Sequence, residues 1–243
     1  MPTQHRILSL VFNEFEALDL FGPLGAIIPR SDYYSVDFVN LHTVTSSRGI
    51  KTSLENGLGI VGTISLTDAL REDRTFDTVF IPGGCGMMPL VLDPILLNQI
   101  GQLVDRAANI LTVCTGSILL AATGRLDGRQ ATTNKRLYDE ATPKYQAVKW
   151  QKRARWVQDG KFLTASGVTA GIDAGFAFIA NTYVAPEDRQ AEAQEVGLHG
   201  ESTPIPGYNQ EKALKFTHMN AFDLEYRWHS DPADDPFVDL PSA

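Results

Sequence analysis

The sequence predicts an α/β fold, a mostly parallel sheet with helices on both faces. Three observations carry that reading. Strand-like apolar runs alternate with helical patterns over the first two-thirds of the chain, the pattern of a sheet covered on both sides. One of those switches, at Cys114, is abrupt: an apolar strand, a sharp turn and a helix start within a few residues. The 243 residues, 43% hydrophobic and 21% charged, have the make-up of an ordinary globular chain able to bury a core.

Taken in order, Arg6–Phe12 (RILSLVF) reads as the first strand and Phe21–Ile28 as a short helix after Asp19-Leu20. Tyr34–Leu41 alternates with period two and reads as the second strand. Ser53–Ile60 is polar and glycine-rich, a hairpin or a loose edge, and Thr67–Leu70 is a short helix. Phe76–Pro82 is a strand running straight into Gly83-Gly84. Asp93-Pro94 supplies a cap and a first-turn proline for a helix to Ala108. Ile110–Val113 is the strand before Cys114, and the small apolar run Ile118–Ala122 the helix after it. Arg129–Thr133 reads as a further short strand. Asp159-Gly160 between two alternating runs marks a hairpin over Arg155–Ala165. Ser166–Thr169 then opens an apolar helix, Ala170–Tyr183, and Pro186–Val196 is an acidic amphipathic helix. From Gly197 prolines break the periodicity. The chain therefore divides into a domain over 1–196 and an extension over 197–243, expected to pack on the same domain.

The formal charge of -8 and the lack of a basic run argue against a nucleic-acid partner. The densest basic stretch, Lys149–Arg155, is interleaved with Trp150 and Ala154 and reads as a solvated face. Two cysteines make no disulfide framework, MPTQHRILSL is no secretory signal, and no apolar run reaches membrane-spanning length, so a cytoplasmic protein without a membrane partner is expected.

Sites in parallel sheets form beyond the carboxyl ends of the strands. That rule gathers the turn after the first strand, the Gly83-Gly84 loop and the turn at Cys114. A thiol at the apex of a strand-turn-helix sits where a nucleophile elbow holds its side chain, and the helix N-terminus favours thiolate over thiol. Cys114 is thus the candidate nucleophile; the alternative is that it is, like most buried cysteines, an inert small hydrophobe. Cys85 lies in the glycine-rich loop and reads as loop structure. Gly83 and Gly84 let the backbone come close to a ligand and turn N–H groups towards a developing anion, or they make a tight turn and nothing more.

A thiol needs a proton partner. The five histidines, His5, His42, His199, His218 and His229, lie away from Cys114 in sequence, show no metal-ligand spacing and read as surface or packing residues. Neither a metal nor a cofactor is expected, since no phosphate-binding signature occurs. Among the acids after the first strand, Glu14 and Glu16 read as solvent-facing. Asp19 lies in apolar company (ALDLFGP), where burial raises a carboxyl pKa; alternatively it caps a helix starting at Pro23.

The motifs LDLFGP (18–23), IPGGCG (81–86), VCTGSILLAATGRLDGRQATT (113–133) and WVQDGKFLTASGVTAGID (156–173) resemble those of the ThiJ/PfpI superfamily, and of its isonitrile hydratases in particular. The resemblance covers about residues 5–196 and implies a class-I glutamine-amidotransferase-like, flavodoxin-like sandwich. It implies addition of water to R–N≡C to give an N-substituted formamide. In that reaction Cys114 would be the nucleophile on the terminal carbon, Asp19 the acid/base where many relatives carry glutamate, and Thr115 a hydrogen-bonding neighbour. Gly83, Gly84 and Val168 would hold the substrate or its oxyanion. It also implies a cofactor-free enzyme, a small-molecule substrate and a homodimer. The chain departs from the hydratases at Asn134-Lys135, where His-Trp usually follows ATT, and in the length of its extension. Two other readings share the thiol: a glyoxalase or deglycase acting on α-oxoaldehydes, and a non-enzymatic redox sensor oxidised at Cys114.

Overall fold

The computed structural model describes residues 4–31, 33–41, 49–51 and 59–182. The helix expected over 186–196, the extension from Gly197, and His42, His199, His218 and His229 lie outside the described residues.

Six strands form the central sheet: β1 (His5–Val11), β2 (Tyr34–Asn40), β5 (Thr78–Ile81), β6 (Asn109–Val113), β9 (Trp156–Asp159) and β10 (Phe162–Ala165). Their spatial order is β2-β1-β5-β6-β10-β9. Every neighbouring pair is parallel except β9–β10, the hairpin that Asp159-Gly160 signals, with Gly160 at φ 58°. The expected parallel sheet is therefore present, with one antiparallel edge.

Chain direction fixes the layers. From β1 the chain moves to β2 on one side through α1 (Ala17–Ile27). From β5 it moves to β6 on the other side through α3 (Met87–Leu90) and α4 (Pro94–Arg106). Right-handed crossovers in opposite directions put their helices on opposite faces. The helix after β6, α5 (Gly116–Ala122), packs on β5 and β6 beside α4, and α7 (Val168–Thr182) packs against α1. The core lies between these layers: Ile7, Leu8, Leu10, Val79, Phe80, Ile110 and Leu111 are all buried.

Several local signals act as the sequence predicts. Asp93 caps α4 by accepting from the N–H groups of Ile95 and Leu96, each at 3.0 Å, with Pro94 in the first turn. Ser65 caps the short α2 (Leu66–Ala69) through the Asp68 N–H. β3 (Gly49–Lys51) and β4 (Gly59–Val61) pair antiparallel, and most of the stretch expected as a hairpin or loose edge, Ser53–Ile60, lies outside the described residues.

Other elements differ. α1 begins four residues before the expected helix, at Ala17 instead of Phe21, with Glu16 as its cap and Pro23 inside it. Two short helices were not visible in the sequence, α3 and α6 (Tyr138–Ala141). The strand expected over Arg129–Thr133 shrinks to β7 (Gln130–Ala131), which pairs with β8 (Lys149–Trp150) outside the main sheet. The basic stretch is not wholly a solvated face. Arg155, 6% exposed, turns inward to Asp173 of α7 at 2.7 Å and to Thr169 Oγ1 at 3.2 Å. The pairing became possible because α7 returns past the end of β9, a contact that no local pattern in 149–155 encodes.

Candidate active site

Four parallel strands deliver their following segments to one edge of the sheet: residues 12–19 after β1, 82–86 after β5, 114–117 after β6, and 166–168 after β10. Three of the segments were expected there, and β10 adds the fourth.

Cys114 follows directly on β6. Its backbone has φ 57°, the left-handed region that disfavours a residue with a Cβ. Hydrogen bonds hold the turn in place. The Cys114 N–H donates to Ala165 O at 2.9 Å, tying it to the end of β10. Its carbonyl accepts from Ser117 Oγ at 3.0 Å and Thr133 Oγ1 at 3.1 Å. The thiol is buried with 8% of the residue exposed, whereas Cys85 is exposed. The strand, strained turn and helix start are those of a nucleophile elbow.

Asp19 reaches the same point from α1. It lies in the first turn of that helix behind the cap Glu16, so the alternative that it caps a helix at Pro23 is ruled out. The residue is fully buried. Oδ1 accepts from the Val168 N–H at 2.8 Å, while Oδ2 has no hydrogen-bond partner among the described residues. Burial pushes its pKa from the ordinary carboxylate range up to about 7. The Val168 N–H opposes that rise, as do the nearby Cys114 thiol and Gly83 N–H, though neither of the last two closes a directed bond on Oδ2.

Gly83 packs closely against both acid and thiol. A Cβ placed there would stand 2.5 Å from Cys114 Cβ, 2.7 Å from Asp19 Oδ2 and 2.9 Å from Thr115 N, none of which real atoms tolerate. Gly84 has φ 140° and presses on the first loop, where a Cβ would meet Glu14 O at 2.2 Å. The loops are also joined by Glu16 N–H to Gly83 O at 2.8 Å.

The residues expected to act on a substrate are thus brought together, but their polar groups face one another. Thr115 accepts from the Gly84 N–H at 3.0 Å and donates back to Gly84 O at 3.3 Å, so its hydroxyl secures the loop. The N–H groups of Gly83 and Val168, expected to hold an anion of the substrate, act on the Asp19 carboxyl. Val168 is itself strained: its φ of 22° is far outside what a β-branched residue prefers. Glu14, at φ 61°, is the third non-glycine residue with positive φ among the described residues, and all three line this edge. Clustering of such residues is a mark of a functional site.

Sequence reading did not place Asn134 in the site. Its side-chain Nδ2 donates to Cys114 Sγ at 3.0 Å, and its Oδ1 accepts from the Leu137 N–H at 3.0 Å. The one available signal was the departure from His-Trp at this position. Lys135 turns elsewhere, to Thr132 Oγ1 and over the Tyr138 ring. His5, the one histidine described, is at the opposite end of the sheet. Among the described residues there is no group of three or more His, Cys, Asp or Glu that could hold a metal, and no helix long and apolar enough to cross a membrane.

The model of the DJ-1/PfpI family matches residues 5–181. The chain belongs to the DJ-1/PfpI family. It is 31% identical over 201 residues to the isonitrile hydratase of Pseudomonas putida, covering 82% of this chain and 79% of that protein. The fold is shared with a ThiJ/PfpI family protein from Pseudomonas syringae, at TM-score 0.64 and 24% identity over 98% of this chain and 91% of the other. It is shared too with Drosophila melanogaster DJ-1beta, at TM-score 0.63 and 18% identity over 81% of this chain and all of the other. The family resemblance read from the motifs is therefore correct, and the mostly parallel sandwich with it.

Proposed function

We propose that this DJ-1/PfpI protein is an isonitrile hydratase-like lyase that adds water to R–N≡C. The observation that carries the reading is Asp19: a carboxyl buried beside Cys114, its pKa pushed up to about 7, with one oxygen unpartnered among the described residues. The relative from Pseudomonas putida supports it.

In this reading the Cys114 sulfur attacks the terminal carbon of the isonitrile while Asp19 gives that carbon its proton. An S–C and a C–H bond form, leaving the thioimidate R–N=CH–S and a carboxylate. Asp19 then takes a proton from an attacking water, whose oxygen bonds to the same carbon, and passes that proton to nitrogen. Collapse of R–NH–CH(OH)–S breaks the C–S bond, releases R–NH–CHO, and returns the hydroxyl proton to Asp19 and the electron pair to sulfur. The cycle closes with acid and thiolate restored and one water consumed. The acid must be neutral at the start, and burial near pH 7 supplies that state.

The reading includes a homodimer, for which Leu18 and Phe21, exposed on α1, are candidate contacts. Purified protein assayed side by side on an alkyl isonitrile and on methylglyoxal tests the function. Formamide release that vanishes in Cys114→Ala, with the far-UV circular dichroism unchanged, is expected. Turnover of methylglyoxal alone would move the assignment to α-oxoaldehydes, and turnover of neither to a redox role of the thiol.

A further inference from the structure

We propose that Asn134 holds Cys114 as a thiolate, its side-chain N–H acting as a fixed, non-titrating donor to the sulfur, so that the single proton shared between thiol and acid rests on Asp19. This deepens the hydratase reading, on which it rests for Cys114 as the attacking atom.

The geometry is specific. Nδ2 stands 3.0 Å from Sγ, and both residues are buried. The amide cannot be turned end for end without loss, because the Leu137 N–H donates to Oδ1 and so fixes the NH2 end on the sulfur. An NH2 group donates and does not accept, so it favours the anionic sulfur over the neutral thiol. The segment is anchored as well: its neighbour Thr133 donates to Cys114 O at 3.1 Å. The charged groups nearby among the described residues have their own partners. On α1, Asp19 faces it, and Glu16 acts on Asp19 by repulsion. Lys135 is directed to Thr132 Oγ1, and on the far side Arg155 is paired with Asp173. No described histidine stands at the thiol, so Asn134 stabilises the anion without adding a second titrating group. The proton on Asp19 is then the one the isonitrile carbon receives.

The test measures the thiol and needs no isonitrile. In a Cys85→Ser background, which removes the exposed thiol, Cys114 is titrated by its thiolate absorbance and by its rate of alkylation with iodoacetamide as a function of pH. Asn134→Asp is the sharp variant: it keeps an oxygen for the Leu137 N–H and replaces the donor to sulfur with an acceptor. The pH profile is expected to move to higher pH, and the alkylation rate at pH 7 to fall about tenfold or more, the effect of losing one hydrogen bond to a charged group. Asn134→Ala should shift it in the same direction, and Asn134→His, which restores a donor, should recover part of the rate. An unchanged profile in the folded Asp or Ala variant overturns the proposal. So does a parent protein whose Cys114 stays protonated up to pH 8, a measurement that requires no variant to fold. An Asn134-dependent profile in a protein that turns over no isonitrile would overturn the hydratase reading alone. Isonitrile turnover with an Asn134-independent profile would overturn the role of Asn134 alone.

Discussion

Two titratable groups shifted by burial, half-buried His5 and fully buried Asp19, stand at opposite ends of the central sheet. At the amino end, His5 packs against Tyr33, Tyr34 and Phe178, and its Nε2 hydrogen-bonds Thr78 Oγ1 at 2.8 Å. Burial lowers its pKa, with Asp77 opposing. At the carboxyl end, burial raises the pKa of Asp19, but one carboxyl oxygen has no partner among the described residues and the backbone around it is strained at Cys114 and Val168. A shifted pKa alone therefore does not mark a candidate site. The strained backbone that surrounds the orphaned acceptor sets Asp19 apart from His5.

The largest expected effect is at Asp19. Asp19→Asn should lower isonitrile turnover by at least ~100-fold, as when a general acid-base group is lost. The same variant exposes a stability effect of definite sign. The folded pKa, about 7, lies above the unfolded one, so the folded protein binds the extra proton. That contribution is whole below about pH 4 and is lost as pH rises through 7, on the order of 4 kcal/mol in all. Urea melts across this window should show the parent losing stability relative to Asp19→Asn as pH rises; parallel curves would show that the carboxyl is already ionised. Next comes Gly83→Ala. The added Cβ drives Cys114 and Asp19 apart, and a displacement near 1 Å costs about 100-fold in rate. Turnover near that of the parent would show that acid and thiol need not meet across this glycine. His5→Phe is the smallest. Losing the bond to the buried Thr78 hydroxyl should cost about 1–3 kcal/mol by chemical denaturation, with turnover unchanged. Its pH signature is opposite to that of Asp19: a lowered histidine pKa gives stability that is present above the unfolded pKa and lost on acidification. A fall in turnover would erase the contrast between the two ends.

Much of the site was legible because its parts are local. The apolar run into Cys114, the Gly83-Gly84 loop and the Asp159-Gly160 hairpin are each written within a few residues, and the family's motifs drew Asp19 towards Cys114. What was hidden depends on contacts across the fold. Pro23 reads as a helix start, yet packing of α1 on α7 carries the helix back to Ala17 and leaves Asp19 inside it. Arg155 reads as one of several solvated cations because its partner, Asp173, lies 18 residues on. Asn134 touches the sulfur only because the chain after β7 folds back over the end of β6. The strain at Val168 has no local cause in the sequence at all.

Glu14, Cys114 and Val168 also carry a lesson for engineering. Each holds a backbone conformation that costs of order 1–3 kcal/mol, and the rest of the fold sustains all three. A thermostabilisation campaign guided by backbone preference would select these positions first, replacing them with glycine. Here the easiest stability to gain lies where the chemistry is set, so robust variants are better sought in the α4 layer, where the helix is already capped and regular.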